Sequence, residues 1–398
     1  MWDEMNSIEA AELVNAAGIC VLVDLIGYTA DHRQDVFALH PAPVQVHYHG
    51  YMGTTGAPWL EGYVGDRIIA PPDHAPWFSE KLLYMPECFL GPSHRMSQIF
   101  WGRTDPAPTP VKQHPQTDLR SQIDLMISSG AGSVAPPEPA LENALETIET
   151  RRRQEGLPEK GPVICFFNQH FKIDPTTFSV WMKALERADD FLANYTGGSN
   201  STGAAHEAPT APLHTTLWML HGTPVSRRNL RREFAQAGRP PERLLMAPRV
   251  RLAIHMRRAS LCDLGVDSPE YNSGATGADT LFSGVPIVHL PSNKAVGRMM
   301  SAMLSASRLA NTGLLVRNHE EYHDTLVALL AHRAGARRIN RLRRLLLRSI
   351  LRAPLFDVAR WTADFDSLMR ILWDGFVTSE PNRVFHSIPV RSRAVMGG

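Results

Sequence analysis

The chain contains few cysteines and carries almost no net charge. Its 398 residues include 4 cysteines, and no two of them form a C-x-x-C pair. Widely spaced cysteines of this kind predict reduced, mostly buried thiols in a cytosolic or nuclear protein, not a disulfide framework. The formal net charge of +1 excludes a strong overall attraction to nucleic acid or acidic lipid. The cysteines are Cys20, Cys88, Cys165 and Cys262.

The sequence also lacks a long apolar run and a basic leader. The stretch ICVLVDLIGY is the most apolar early segment, but it is short and contains Asp24, which predicts a buried strand. The first residues, MWDEMNSIEAAEL, carry acids where a secretory signal has positive charge, so we do not expect secretion. We therefore interpret the glycosylation sequons at Asn194 and Asn200 as chance matches. No 34-residue helical repeat is visible in the sequence.

The composition and length are those of a globular protein with two domains. Hydrophobic residues make up 43% of the chain and charged residues 20%. A chain of 398 residues can form two separate cores. In the first part, a helical pattern at residues 7–16 precedes short β-branched stretches. There we predict strands at Gly18–Ile26, Pro43–Tyr48, Arg67–Ile69 and Lys81–Tyr84, with a glycine-rich turn at Gly50–Gly56.

The later part of the chain predicts a doubly wound α/β sheet of nucleotide-binding type. A strand beginning at Val163 opens this unit, after a proline-rich connection that contains a charged helix at Leu141–Arg153. The low-complexity insert TGGSNSTGAAHEAPTAP predicts a disordered surface loop. We predict strands at Thr215–Leu220, Leu244–Ala247, Leu261–Val266 and Pro286–Leu290, and helices at Pro175–Arg187, Ser226–Ala237, Arg251–Ala259, Ala278–Phe282, 320–351 and 356–375.

The stretch Cys262–Leu290 is the first candidate site. A strand there runs into a loop of small residues, and a short helix begins near Thr276. Gly274 and Ala275, which precede it, leave the backbone N–H groups at the helix start uncovered, and such groups bind phosphate. Asp279 follows one turn later, where a carboxylate can accept from ribose hydroxyls. On spacing alone, a simple chain-reversing turn explains the pattern equally well.

Two further clusters bring polar side chains to the ends of predicted strands. Gln169 and Lys172 follow the strand at Val163, and an ammonium there could neutralise a departing diphosphate. The alternative is a solvated lysine beside a loop-capping glutamine. His255, Arg257 and Arg258 lie on the next candidate helix, where they could contact a nucleobase or simply form a basic face.

The sequence offers weak support for metal or nucleic-acid binding. Asp364 and Asp366 form the sole Asp-x-Asp pattern, within a helical stretch that favours a solvated face. His47 and His49 point the same way from a strand, but a zinc site needs a third protein ligand. In the run RRINRLRRLLLRSILR the arginines alternate with leucines at helical spacing, so an amphipathic helix with one buried face is preferred over nucleic-acid binding.

Several stretches resemble the catalytic region of the O-linked N-acetylglucosamine transferases, family 41 of the glycosyltransferases. They are VDLIGYTADHRQDVFALHPAPVQVHYHGYMGTTGA, SEKLLYMPECF, FNQHFKIDPTTFSVWMKAL, NSGATGADTLFSGVPIVHLP and RAPLFD, in the family's order. The resemblance covers about residues 17–90 and 161–376. It implies a GT-B fold, in which two Rossmann-like lobes enclose the active site.

The resemblance also implies an activity and a set of site residues. The donor would be UDP-N-acetylglucosamine, the acceptor a Ser or Thr hydroxyl of an intracellular protein, and the transfer a one-step inverting displacement without metal or cofactor. Lys172 would be catalytic and would hold the diphosphate together with Gln169. The other nucleotide-sugar-binding positions implied are Gly50, Val250, Arg251, Leu252, His255, Arg258, Gly274, Ala275, Thr276 and Asp279.

The resemblance further divides the chain. It implies a partial first lobe at 1–102, an inter-lobe connection at 103–160, a nucleotide-binding lobe at 161–355, a terminal helix returning to the first lobe at 356–376 and an irregular tail at 377–398. The family's opening strands, which carry a histidine near the reaction centre, and its helical repeats would precede this chain.

Two departures from the family pattern leave alternatives open. Where the family reads Gly-His-Thr-Thr-Gly, this chain reads Ser273-Gly274-Ala275-Thr276-Gly277, and Leu252 replaces a lysine beside Arg251. A non-catalytic nucleotide-sugar-binding scaffold is therefore one alternative. An O-fucosyltransferase of the SPINDLY type, using GDP-fucose, is the other, although Gln169 and Asp279 resemble the N-acetylglucosamine branch.

Overall fold

A computed structural model describes residues 5–95, 148–193, 213–331 and 333–378, together with the backbone of 387–389. Its strands form two parallel sheets of five strands each. Most of the proline-rich connection, the low-complexity insert and both sequons lie outside the described residues. The predicted domain boundaries therefore remain predictions.

The first sheet has the order β1-β2-β3-β4-β10, and all of its neighbouring strands are parallel. Helix α1 begins with a capping box in which the Asn6 side chain and Glu9 satisfy each other's backbone N–H groups. The elements of this part are α1 Ser7–Ala16, β1 Val21–Asp24, α2 Gln34–Ala38, β2 Val44–Tyr48, β3 Gly62–Gly65, the 3-10 helix Pro72–Trp77, β4 Lys81–Tyr84 and, near the end of the chain, β10 Ser387–Pro389.

The predicted strand at Arg67–Ile69 is wrong. These residues form a turn, because the buried carboxylate of Asp66 accepts hydrogen bonds from the backbone N–H groups of Ile68 and Ile69 at 2.8 and 2.9 Å. The strand lies just before this turn, at Gly62–Gly65. A Cβ atom at Gly62 would lie 2.4 Å from Leu83 Cδ1, so the glycine lets the neighbouring strand's side chain pack closely.

The second sheet has the order β7-β6-β5-β8-β9, again with parallel neighbours. Strands β6 and β7 lie on one side of β5, and strands β8 and β9, which come later in the chain, lie on the other. This order creates a crevice at the carboxyl ends of β5 and β8, where ligands bind in open α/β sheets. The strands are β5 Val163–Phe166, β6 Thr216–Leu220, β7 Leu244–Ala247, β8 Leu264–Val266 and β9 Ile287–Val288.

A helix follows each strand of the second sheet, and further helices come after these in the chain, the last of which packs on the first sheet. They are α3 Pro175–Ala193, α4 Pro224–Gln236, α5 Leu252–Ala259, α6 Ala275–Phe282, α7 Met299–Ala306, α8 His319–Leu330, α9 Arg333–Arg352 and α10 Val358–Thr378. Short 3-10 helices occur at His170–Lys172, Pro241–Arg243, Ala295–Gly297, Ala310–Thr312 and Pro354–Phe356. The described end of the charged helix covers residues 148–154.

The single helix predicted at 320–351 is divided into α8 and α9. A Cβ atom at Gly335 would lie 2.3 Å from the Leu329 carbonyl oxygen, so the glycine lets α9 begin directly against the end of α8. The amphipathic character predicted for the basic run is confirmed, because Ile339, Leu342 and Leu346 are buried along one face of α9. Many of the arginines between them are exposed.

Helix α10 packs on the first sheet, away from the lobe that precedes it in sequence. Leu368 is buried with Val44 and Val46, and Trp361 and Phe365 lie against Tyr48 at ring-centroid distances of 5.5 and 5.6 Å. Within this helix Asp366 is exposed, whereas Asp364 is largely buried near Arg360, so the expected solvated face holds for Asp366 alone. None of the helices in the described ranges has the length and apolar character needed to cross a membrane.

Candidate active site

The candidate site lies at the crevice between the carboxyl ends of β5 and β8. Lys172, in the 3-10 helix after β5, donates from Nζ to the backbone oxygen of Asn272 at 2.9 Å. The hydroxyl of Ser268, two residues after the end of β8, donates to the Lys172 carbonyl oxygen. Since Asn272 lies four residues before Thr276, these bonds bring the lysine to the loop that enters α6.

The ammonium of Lys172 is partly shielded from water. Its Nζ lies 3.9 Å from the ring centroid of Tyr271, within cation–π range. Burial lowers the pKa of Lys172 to about 8, against the smaller raising effect of the Asp267 carboxylate. A weakly solvated ammonium beside a phosphate-binding loop is well placed to stabilise negative charge on a leaving group.

A buried hydrogen-bond network supports this loop. Asp267, with no exposed surface, accepts from the backbone N–H and the hydroxyl of Ser273, both at 2.8 Å, through one carboxylate oxygen. Asn168, after the adjacent strand, donates to the same hydroxyl at 2.9 Å. The Tyr322 hydroxyl donates to the Asp267 carbonyl oxygen at 2.8 Å. The sequence prediction missed Asp267 and Asn168; their signal was a polar residue within two positions of the end of each of two buried strands.

The start of α6 is open, as the small residues predicted. Gly274 is its N-cap with φ −74° and ψ −107°, and no side chain caps the helix. A Cβ atom at Gly274 would meet only Met299, at 3.6 Å, which is ordinary contact. At Gly277, one turn on, a Cβ atom would lie 2.5 Å from Met300 Cε, so this position is closely packed. The helix start therefore has room for a ligand or a larger side chain at Gly274.

Asp279 and His255 lie near each other on α6 and α5. The charge of Asp279 acts on His255, although burial, the largest effect, and Arg258 together lower the pKa of this histidine. The His255 ring contacts Phe167 edge-on, with centroids 5.1 Å apart. Asp279 Oδ1 is hydrogen bonded to His94 Nε2 of the first lobe at 2.6 Å, a contact that the sequence did not predict.

The remaining predicted site residues are either engaged within the protein or exposed to solvent. The Arg258 guanidinium is buried, pairs with Glu155 at 2.9 Å and donates to the Pro248 carbonyl oxygen at 2.8 Å, so it is engaged within the protein. The loop entering α5 and several other predicted positions face solvent. The exposed residues of the predicted set are Gln169, Val250, Arg251, Leu252 and Ala275, while Thr276 is half-buried.

Gly50, predicted to lie beside the donor sugar, follows β2 in the first lobe. Its backbone N–H donates to the Leu25 carbonyl oxygen at 3.1 Å, and a Cβ atom would lie 2.3 Å from that oxygen. The preceding residue, His49, adopts a left-handed backbone with φ 77°. Position 50 therefore requires glycine, because the chain packs closely against it in a strained loop.

A buried ion pair fixes this loop. His47 Nδ1 lies 3.0 Å from Asp24 Oδ2, and His47 Nε2 lies 2.5 Å from the Tyr51 carbonyl oxygen. Gln34 also donates to Asp24, at 2.6 Å. Because both ring nitrogens face acceptors, the geometry favours the imidazolium. Among the described residues no three His, Cys, Asp or Glu side chains form a potential metal site, and metal independence remains a prediction.

Comparison with known proteins identifies relatives along most of the chain. The model of Glycosyl transferase family 41 matches residues 4–105, 135–193 and 210–365. The probable UDP-N-acetylglucosamine–peptide N-acetylglucosaminyltransferase SEC of Arabidopsis thaliana is 26% identical over 93% of this chain and 31% of its own length. The Caenorhabditis elegans UDP-N-acetylglucosamine–peptide N-acetylglucosaminyltransferase is 25% identical over 94% of this chain and 35% of its own length. The chain thus spans about a third of the length of the curated relatives it matches.

A solved structure supports the architecture. A mutant of the Thermobaculum terrenum O-GlcNAc transferase aligns with 94% of this chain and 57% of its own, with a TM-score of 0.64 and 22% identity. At 22% identity, this similarity establishes the fold alone. Together with the two parallel α/β sheets, it confirms the predicted GT-B fold.

Proposed function

This chain belongs to Glycosyl transferase family 41, and we propose that it transfers N-acetylglucosamine from UDP-N-acetylglucosamine to serine or threonine hydroxyls of proteins. The observation that carries the proposal is the hydrogen bond from Lys172 Nζ to the Asn272 backbone oxygen. It joins a weakly solvated ammonium to the loop before an open helix start. A diphosphate fits between these two positive elements.

The proposed reaction is a direct displacement at the anomeric carbon of the sugar. The acceptor hydroxyl attacks this carbon from the face opposite the nucleotide and forms the new C–O bond, while the bond from the carbon to the diphosphate oxygen breaks with inversion of configuration. UDP departs, and the proton of the hydroxyl is released to the departing diphosphate or to water. Lys172 and the N–H groups at the start of α6 stabilise the negative charge that develops on the departing diphosphate. Both groups belong to the protein, and we propose that no metal or cofactor takes part.

Asp279 and His255 are proposed to hold the nucleoside. The Asp279 carboxylate would accept from ribose hydroxyls, and the His255 ring, next to Phe167, would stack on the uracil. Arg258 is a weaker candidate than the sequence indicated, because its guanidinium is buried and paired with Glu155. Gln169 remains a candidate diphosphate ligand, since it is exposed and is the N-cap residue of the 3-10 helix that carries Lys172.

Uracil is the proposed base of the donor. The names of relatives that include the SPINDLY protein of Solanum lycopersicum, 25% identical over 95% of this chain, specify UDP-N-acetylglucosamine.

The acceptors of this chain are proposed to be proteins of the cytoplasm or nucleus. The cysteines agree with a reducing compartment, since Cys20, Cys88, Cys165 and Cys262 are all free thiols.

Binding and transfer measured on the same protein test this proposal. Titration with UDP, GDP and their sugar conjugates should give tighter binding of the uridine compounds, and radiolabelled UDP-N-acetylglucosamine should label a serine- or threonine-containing protein acceptor. Preference for GDP would instead favour the O-fucosyltransferase. Nucleotide binding without transfer would favour the non-catalytic scaffold, which Gly274 and Leu252 suggest by replacing family ligands.

A further inference from the structure

The segment after β4 carries a first-lobe side chain to α6 of the second lobe. This exit segment, residues 86–95, runs along the start of α10, where Trp361 Nε1 donates to the carbonyl oxygens of Cys88 and Phe89 at 3.2 and 3.3 Å. A Cβ atom at Gly91 would lie 2.4 Å from the Trp361 ring, so the segment is closely packed against it. These contacts determine where His94 enters the second lobe.

The His94 ring is fixed by aromatic packing. It stacks on Phe282 of α6, with centroids 4.9 Å apart and planes at 25°, and meets Phe356 edge-on at 5.9 Å. Only 10% of its side chain is exposed. Phe282 and Phe356 belong to a buried hydrophobic core to which both lobes contribute. The imidazole therefore has little freedom to turn away from α6.

Its single described hydrogen bond is to Asp279. His94 Nε2 lies 2.6 Å from Asp279 Oδ1, while His94 Nδ1 is buried without a hydrogen-bond partner. Because the carboxylate accepts, Nε2 is the nitrogen that donates. Asp279 is 15% exposed at its side chain, and within the described residues its second oxygen, Oδ2, makes no hydrogen bond. One oxygen is thus held and the other is available to a ligand.

We propose that His94 is a positioning residue of the nucleotide site: it holds Asp279 through Oδ1 so that Oδ2 accepts from the ribose hydroxyls of the bound nucleotide. The inference rests on the proposed function, in which Asp279 contacts ribose. The first lobe then contributes to nucleotide affinity without touching the nucleotide. A carboxylate already fixed by a donor loses less conformational freedom when it binds the ribose.

The proposal predicts a ribose-specific loss of affinity when the imidazole is removed. We would measure binding of UDP and of 2′,3′-dideoxyuridine diphosphate, which keeps the base and the diphosphate, to the wild type and to His94→Phe. The phenyl ring preserves the packing against Phe282 and Phe356 but cannot donate. UDP affinity should fall about tenfold, and affinity for the dideoxy compound should change less than about twofold. His94→Gln, which keeps an N–H donor, should recover part of the loss.

Matched controls separate a positioning role from a structural one. His74 of the first lobe faces Arg298 of the second, with 3.5 Å between His74 Nε2 and Arg298 Nη2, so His74→Phe removes another inter-lobe contact that does not involve Asp279. It should leave UDP affinity unchanged. Equal losses for UDP and the dideoxy compound in His94→Phe would show a structural role and overturn the proposal. Unchanged or tighter UDP binding would overturn it too, since His94 would then be idle or would compete with ribose.

The same titration separates failure of this inference from failure of the proposed function. If the wild type binds UDP more tightly than the dideoxy compound, ribose recognition stands, and the His94 variants decide the inference. If the wild type binds neither compound, the proposed function fails and the inference fails with it.

Discussion

Lys172 lies over the ring of Tyr271, with Nζ 3.9 Å from the ring centroid. The contact leaves the ammonium bonded to the Asn272 carbonyl oxygen and partly removed from water. This arrangement lowers the pKa of Lys172 to about 8, so the ammonium is still the main form near pH 7. A diphosphate that arrives beside it would favour the charged form further.

The activity should therefore depend on pH through Lys172. Burial lowers the pKa of this lysine to about 8, so the ammonium needed for leaving-group stabilisation is present below that pH and is lost above it. We expect kcat/KM of the wild type to decline as the pH rises past 8. Lys172→Arg keeps its charge throughout this range, so any residual activity of that variant should not show the decline. A wild-type profile that stays flat to pH 10 would contradict the prediction.

Removal of the lysine should affect transfer more than binding. Lys172→Ala is expected to reduce transfer by at least about 100-fold while it weakens UDP binding by about tenfold or less, because the ammonium acts most on charge that develops in the transition state. Turnover and UDP affinity measured in parallel test this. The exposed Lys183 on α3 provides a control, and Lys183→Ala should change neither quantity. Unchanged turnover in Lys172→Ala would remove this residue from the mechanism.

A side chain restored at the start of α6 should tighten nucleotide binding. Gly274→His introduces the residue of the family pattern at a position where a Cβ atom meets only Met299, at 3.6 Å. One charge-assisted hydrogen bond contributes about 1.5–3 kcal/mol, so UDP affinity should rise roughly 10- to 100-fold. Calorimetric titration measures this gain directly. Weaker UDP binding by a folded Gly274→His variant would contradict the prediction and show that the larger side chain occupies space that the diphosphate needs.

The buried pair of Asp24 and His47 should make stability depend on pH in both directions. Burial opposes the charge on both groups. Hydrogen bonds from His47 and from the backbone N–H groups of Gly27 and Ile26 nevertheless lower the pKa of Asp24. Hydrogen bonds to Asp24 and to the Tyr51 carbonyl oxygen likewise raise the pKa of His47. The His47 contribution is complete below its ordinary pKa of 6.5 and is lost as the pH rises through the raised value. The Asp24 contribution is complete above 3.8 and is lost as the pH falls through the lowered value.

The free energy of unfolding, measured in urea across this pH range, tests the pair. Asp24→Asn should lower it by about 3–5 kcal/mol near pH 6, because a buried imidazolium is left without its counterion. His47→Gln should abolish the alkaline loss of stability. An alkaline loss that persists in His47→Gln would assign it to another group.

Glycine should be essential at position 50 for packing. In Gly50→Ala the new Cβ atom would lie 2.3 Å from the Leu25 carbonyl oxygen and 2.8 Å from Ile26 Cα. Backbone atoms cannot move aside as a flexible side chain can, so we expect a loss of about 1–3 kcal/mol. Gly375 of α10 is a useful contrast, because a Cβ atom there meets nothing within 4 Å, and Gly375→Ala should stabilise the helix by about 0.5–1 kcal/mol. Thermal unfolding compares the two variants, and equal melting temperatures would refute the packing argument.

Much of the fold followed from local patterns. The strands at Leu244–Ala247 and Lys81–Tyr84 match their predicted bounds, because short β-branched or apolar runs between turns specify buried parallel strands. The approach of Lys172 to the loop before α6 also followed from the sequence, since parallel strands bring their following loops to one edge. The strand predicted at Arg67–Ile69 failed because the Asp66 carboxylate competes for the backbone N–H groups.

Contacts between distant segments were beyond sequence patterns. His94 and Asp279 are 185 residues apart, and their hydrogen bond depends on how the two lobes pack. Arg258 had the spacing of a base contact, but its partner Glu155 lies in another segment, more than 100 residues earlier. A local pattern identifies a polar side chain at a strand end or helix face; it does not identify the partner that engages it.

The position of α10 restricts how the protein can be dissected. Its Leu368, Trp361 and Phe365 cover Val44, Val46 and Tyr48, so residues near both ends of the described chain share one core. Expression of the first 95 residues alone would expose that sheet face to water, and such a fragment should aggregate. Studies of an isolated first lobe will therefore need a circular permutant or a co-expressed helix.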